Sequence, residues 1–331
     1  MPLIPFPGQF DIDTSGEIAF HMDFLSLVAF SHTCLANRGI VQDVLSDRII
    51  LLLQRRLHHH ARAFRDIIFD NGVVVVGSSV MWLMNSEPQW SPRDLNLIAP
   101  AGKADEIAQF LKERGFEEKE EKKLGWRFNQ NATRLWEFEG PLPAVTDDEE
   151  ALCGFVTVME SRTASVWPCI LASEATSHKD VITSHYIVSL TPRLSCHNTL
   201  YVAAWDDKRY YAERGINVIG WPSTNIRCDL WCPSECRYLN GGQGVGLLEW
   251  RMRPASTEPD FTDVMVMSEM PDRPGSFFAS TDLLDDGAYC MYAECYNPTC
   301  PRRWQQRGPS ESDSDWVSVS TWNISNWTHT F

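Results

Sequence analysis

From about Glu17 to Asp70 apolar residues recur at helical spacing. Phe24, Leu25, Leu27 and Val28 form a first group, and Val41, Val44 and Leu45 a second. Ile49, Ile50, Leu53, Leu57, Ala61, Phe64 and Ile68 then follow at steps of three or four, which predicts one continuous helical stripe. Arg55, Arg56, His58, His59, Arg62 and Arg65 fall mostly on the opposite, solvated side. Asn71-Gly72 closes the helix, because both residues tolerate the left-handed cap conformation.

The period then changes. Val73-Val74-Val75-Val76 is a β-branched run that suits a strand buried on both faces. Gly77-Ser78-Ser79 follows and opens a short helical stretch, Val80–Asn85. Leu95–Ile98 reads as a second strand. Ala104–Arg114 reads as an amphipathic helix with Ile107, Phe110 and Leu111 inward and Gly115 as its stop. Glu117–Lys123 is a charged turn or strand edge. Arg134–Phe138 and Phe155–Met159 are strand-like, with the Pro- and acid-rich loop Gly140–Glu150 between them. Asp180–Leu190 and Asp206–Arg214 are read as helical. From Ile216 onward short strands and long loops are expected, then a linker at Pro309–Asp315 and a Trp-rich tail, Trp316–Phe331, packed back as a strand. The fold class is α+β: a mixed sheet with helices, an N-terminal helical segment and a strand- and loop-rich C-terminal part. The divisions are an irregular lead-in over 1–16, a helical segment over 17–70, a sheet domain over 71–250 and an extension over 251–331.

Charge narrows the function. With 29 Lys plus Arg against 44 Asp plus Glu, the net charge of the 331 residues is −15. That balance argues against bulk nucleic acid and anionic membranes as partners. No apolar run approaches the roughly 20 residues of a membrane span. The start, Met1-Pro2-Leu3-Ile4-Pro5, lacks signal-peptide character, so the expectation is a cytoplasmic or nuclear protein with reduced cysteines. The Asn-x-Ser/Thr triplets at Asn131, Asn323 and Asn326 are then chance occurrences. Cys228, Cys232 and Cys236, with Cys290, Cys295 and Cys300, raise the question of zinc. They lack a tight Cys-x-x-Cys pair, and the reading favours separate core cysteines over structural zinc.

The chemistry concentrates in Val73–Pro100. A buried strand that runs into Gly77-Ser78-Ser79 leaves small residues where backbone N–H groups can face an anion. Asp94 and Asn96 share one face of the next strand, while Leu95 and Leu97 point to the core. Two oxygen-bearing side chains beside such a turn form half of a Mg²⁺-triphosphate site.

These residues resemble the nucleotidyltransferase superfamily associated with DNA polymerase β, whose signature is Gly-Ser, a spacer and an acid-x-acid strand. The resemblance implies nucleotide binding at Gly77, Ser78 and Ser79, and Mg²⁺ held by Asp94, Asn96 and a third acid. Glu160 is the closest candidate for that acid and Glu137 a weaker one. Asn96 departs from the pattern, because an amide ligates without bringing charge. A narrower resemblance is to a group of proteins multiplied in mushroom-forming (basidiomycete) fungi, which place an F-box-like segment before such a domain and bring no settled activity. It is carried by Phe24-Leu25-Ser26-Leu27 through Ser31-His32-Thr33-Cys34 and Asn37-Arg38, then by Val75–Ser79 and Ser91–Asn96. Later echoes are Ala175-Thr176-Ser177-His178, Arg214-Gly215-Ile216 and Cys232-Pro233. The front half of the F-box is poorly matched by Phe10–Met22. The expectation is a degenerate nucleotidyltransferase-like protein that binds a nucleotide or a protein partner without turnover. The alternatives are an active Mg-dependent nucleotidyltransferase and an F-box-type adaptor that binds a ubiquitin-ligase subunit through Phe24–Arg38.

Other motifs read as structural. His58-His59-His60 are adjacent, so they diverge around a helix instead of converging on one ion. Gly241–Gly246 lacks the preceding strand and following helix of a dinucleotide loop and reads as a hairpin. No Gly-x-Ser-x-Gly elbow or Walker loop occurs. His178 and His185 read as packing or surface residues.

Overall fold

The long apolar stripe is divided between two helices. In the computed structural model, α1 is Ile12–Phe20, α2 Phe24–Ser31, α3 Leu35–Leu57 and α4 Ala61–Asp70. His58–His60 form a 3₁₀ turn between α3 and α4, and His58 takes φ 50° at the break. Leu53, Leu57, Ala61, Phe64 and Ile68 all remain buried, so the spacing survives a change of helix direction. The solvated-face reading fails for two of the arginines: Arg56 is 8 % exposed and Arg65 3 %. The structure describes residues 12–85, 90–92, 94–119, 124, 128–141, 153–173, 176–202, 211–213, 215–220, 237–238, 246–250 and 288–289.

The remaining elements are β1 Val74–Val76, α5 Ser78–Met84, β2 Asp94–Ala99, α6 Ala104–Lys112, β3 Glu117–Glu118, β4 Ala132–Pro141 and β5 Cys153–Ser161. They continue with α7 Trp167–Leu171, β6 Val181–Ile182, β7 Tyr186–Ser189, α8 Pro192–Ser195, β8 Thr199–Val202 and β9 Asn217–Gly220. The last three are β10 Arg237–Tyr238, β11 Gly246–Glu249 and β12 Ala288–Tyr289. Eight strands form one sheet in the order β11-β7-β6-β1-β2-β5-β4-β3. Neighbours are antiparallel except β2 and β5, which run parallel, so the sheet is mixed and the class is α+β. β8 pairs with β9 and β10 with β12 in two small separate sheets.

The sheet separates two cores. On one face Leu95, Leu97, Val156, Val158 and Phe138 meet Phe24, Leu27, Ile49 and Phe64 from the helices in one cluster. On the other, Val74, Val76 and Ile98 meet Trp167, Ile170 and Leu194. The valine run therefore serves both cores from alternate positions, as a doubly buried strand must. Each large apolar side chain buried in this way contributes about 1.5–3 kcal/mol. The cluster on the helix side spans Ala19 to Trp250, so the helical segment over 17–70 and the sheet share one core. Arg38 of α3 also pairs with Glu249 of β11 at 2.5 Å, and Trp250 Nε1 donates to the Thr183 carbonyl at 3.0 Å.

Three sequence expectations are corrected. The irregular lead-in gives way to helix at Ile12. Asp180–Leu190 forms strands β6 and β7 in place of a helix, because its β-branched and aromatic residues pair across the sheet. β4 runs on to Pro141, into the expected loop. The six zinc-candidate cysteines, Gly241–Val245, Arg93, Ala175, Arg214, Cys232-Pro233, most of Asp206–Arg214, and the tail from Pro309 to Phe331 lie outside the described residues, as do Asn323 and Asn326. Among the described residues no helix is long and apolar enough to cross a membrane.

Candidate functional site

The turn at Gly77 builds the site. Gly77 sits at φ 81° between β1 and α5. A Cβ at Gly77 would lie 3.4 Å from Asn96 Nδ2 and 3.7 Å from His178 Cδ2. Those are ordinary contact distances, so it is the positive φ that calls for glycine. Register brings the strands to this turn: Val76 pairs with Asn96 on one side and with Val181 on the other.

Asp94 and Asn96 share a strand face, with Leu95 and Leu97 buried beneath them. Asn96 Nδ2 donates to Asp94 Oδ2 at 2.9 Å. Ser78 Oγ reaches Asp94 Oδ1 at 3.5 Å, a marginal contact, and the buried Ser79 donates to the Asp94 carbonyl at 3.0 Å. The structure thus brings together Gly77, Ser78, Ser79, Asp94 and Asn96.

Glu160 is separated from them. β2 and β5 run parallel with Asp94 opposite Phe155 and Ala99 opposite Glu160. Five residues at about 3.3 Å each put Glu160 near the other end of the strands. The odd offset also sends it to the opposite face. There it is 4 % exposed and accepts from Gly102 N at 2.7 Å, Thr133 Oγ1 at 3.1 Å and Arg134 Nε at 2.9 Å. It is a structural anchor between the start of α6 and β4, and the assignment of Glu160 as third metal ligand is corrected. The β5 positions beside Asp94 and Asn96 are Phe155 and Thr157. Glu137 lies on the correct face, opposite Thr157 on β4, two strands from Asn96. Two strand spacings place its backbone about 10 Å from that of Asn96.

The donor set is one carboxylate and one amide. Among the described residues no three His, Cys, Asp or Glu side chains form a group able to hold a metal ion. These residues do not furnish the paired carboxylates on which a two-metal phosphoryl-transfer site rests.

His178 has a packing role, one of the two read from the sequence, and Asp180 is a buried group the sequence did not single out. His178 packs against the Gly77 turn. Asp180, fully buried next to β6, accepts from Ser189 Oγ at 2.6 Å and from Ser195 Oγ; burial pushes its carboxyl up to about 7 against the pull of these donors. Arg56, in the last turn of α3, is drawn down by burial and raised by the charge of Asp94. No local pattern marks Asp180, because its place is set by the pairing of β6 with β1.

No protein-family model matches this sequence, and no curated protein matches it.

Proposed function

We propose that the Gly77–Asn96 face is a degenerate nucleotidyltransferase-like site that binds a nucleotide, or a protein partner in its place, without turnover. The observation that carries this reading is the 2.9 Å hydrogen bond from Asn96 to Asp94. An acid-x-acid strand spreads two negative charges around a metal, whereas here the second side chain donates a hydrogen bond to the first. The Gly77 turn lies beside that strand, and its backbone N–H groups would be the neutral donors for an anion, the hydroxyls of Ser78 and Ser79 being engaged by Asp94. Titration calorimetry with ATP tests the nucleotide form: heat of binding at sub-millimolar ligand with no pyrophosphate released supports it. Absence of binding at millimolar ATP removes it and leaves the partner form. Labelled product that disappears in Asp94→Ala would favour active Mg-dependent transfer instead.

The adaptor reading has one observation in its favour. Leu35, at the start of α3, is 80 % exposed within the F-box-like segment. Phe24 and Leu27 of the same segment are committed to the shared core. Capture of a ubiquitin-ligase subunit that Leu35→Asp abolishes would support this second reading.

A further inference from the structure

A cavity of about 450 Å³ lies between the end of α1, the C-terminal half of α3 and α5. Its volume falls within the roughly 300–1,000 Å³ typical of small-molecule sites. Phe20, Leu51, Trp82 and Leu83 supply its apolar lining. Leu51 is 43 % exposed there, so part of that lining is open to solvent. None of the lining residues belongs to the Gly77–Asn96 face.

The charges that line this cavity are of one sign. Arg48 and Arg55 stand two turns apart on α3, on one face of that helix. Each lies against a ring of the lining: the Arg48 guanidinium is 5.6 Å from the centre of Phe20, and that of Arg55 is 4.4 Å from the centre of Trp82. Among the described residues no acidic side chain lines the cavity, although the chain as a whole carries a net charge of −15. Arg48 directs its donors to the carbonyls of Ala19, Phe20, Met22 and Leu83, which orient it without cancelling its charge. Asp23, at the start of α2, offsets part of that charge. Arg55 is exposed and has a neutral partner, the Ser91 hydroxyl, 3.2 Å from Nη1. Positive charge beside apolar, low-dielectric walls concentrates its field within the cavity.

We propose that this cavity binds a small amphiphilic carboxylate, its apolar body against Phe20, Leu51 and Trp82 and its carboxylate on Arg55. Charge complementarity decides the class of ligand. An uncharged apolar molecule uses the walls alone, whereas a carboxylate adds the guanidinium fork of Arg55 and the field of Arg48. Arg55 gives up only a neutral hydrogen bond to meet it, and stacking on Trp82 keeps the guanidinium at the cavity. One guanidinium with a neutral partner matches a single negative charge better than a polyphosphate. The site is independent of the nucleotide reading of the Gly77–Asn96 face.

Fluorescence titration of the full chain tests this with two probes. One is 8-anilinonaphthalene-1-sulfonate, an apolar ring system bearing one anionic group; the other is N-phenyl-1-naphthylamine, the same skeleton without the charge. Decanoate, a simple amphiphilic carboxylate, should displace the charged probe, and ATP should not. Arg55→Gln should weaken the charged probe about fivefold and the uncharged one less than about twofold. Leu51→Asp should weaken both, because it breaks the apolar wall. Equal losses of the two probes in Arg55→Gln, or a charged probe indifferent to both substitutions, overturn the proposal. So does displacement by ATP and not by decanoate, which would move the probe to the nucleotide face. Failure of wild type to take up either probe or decanoate overturns it as well, and leaves the nucleotide reading standing. A dimer in sedimentation velocity that Leu51→Asp disperses would give the cavity to a second copy of the chain, against the proposal. Should Leu51→Asp fail to fold, Leu51→Gln takes its place.

Discussion

Arg134 Nε donates to Glu160 Oε2 at 2.9 Å, on the face of the sheet opposite Asp94. The carboxylate that pattern alone would assign to a metal therefore already has a cation and two further donors. Glu160→Gln should cost about 2 kcal/mol in urea unfolding, a buried-pair penalty reduced because Arg134 is 40 % exposed. ATP affinity should not change. Lost affinity at an unchanged midpoint would restore Glu160 to the site.

Arg48 holds three segments together. Its Nη2 donates to the carbonyls of Phe20 and Met22, both at 2.5 Å, and its Nη1 to that of Leu83 at 3.3 Å. Burial lowers its pKa to about 10, and it keeps its charge at neutral pH. Arg48→Met leaves these carbonyls at the ends of α1 and α5 without their donor. A loss of about 3 kcal/mol or more is expected in chemical denaturation. Arg48→Lys should recover only part, since one ammonium cannot span the three segments. Equal stability of Arg48→Met and wild type would contradict this role.

Asp180 predicts a pH dependence. Its folded pKa of about 7 lies above the ordinary 3.8, so the folded state holds the proton more tightly than the unfolded chain. The sign follows: this contribution is fully present below pH 4 and is lost as pH rises from about 4 to about 7. Three pKa units correspond to an effect of order 4 kcal/mol. Asp180→Asn keeps the shape and removes the titration. Urea midpoints measured between pH 4 and pH 8 should fall for wild type and flatten for the variant. The same slope in both would assign the effect elsewhere.

Gly140 lies where β4 passes Phe116. A Cβ at Gly140 would approach the Phe116 ring to 2.4 Å, and Phe116 is only 7 % exposed. Gly140→Ala should cost about 1–3 kcal/mol, the usual range for overpacking. Phe116→Leu should lessen that cost in the double variant, as read from the interaction term of a mutant cycle.

Asn96→Asp would set a second carboxylate within hydrogen-bond distance of Asp94, in place of the amide that now donates to it. Like charges at that separation disfavour joint ionisation. In EDTA at neutral pH, Tm should drop by several degrees. Millimolar Mg²⁺ should recover much of the loss in the variant and leave wild type unchanged. A variant as stable as wild type in EDTA would mean that the Asn96 hydrogen bond carries little weight.

The local turn was legible in the sequence. A valine run, Gly77-Ser78-Ser79 and the alternation Asp94-Leu95-Asn96-Leu97 specify a strand, a tight turn and a two-faced strand by short-range sterics and period. The helical stripe through Ile68 was legible too, although not its break at His58. Pairing was not. Val181 and Tyr186–Ser189 read as helix because the partners that make them strands are distant in the chain: Val76 is 105 residues from Val181, and Leu247 is 59 residues from Val188. Strand direction and register decided the third acid: Glu160 ends a strand as expected, but a parallel partner offset by five residues turned it to the other face and the far end. Tertiary structure likewise brought His178, and Val181 beside Asp180, to the Gly77 turn. Period and turn chemistry act over a few residues and are written in the chain. Which carboxylate meets which cation depends on contacts between distant segments, and only the closed sheet and its helices determine them.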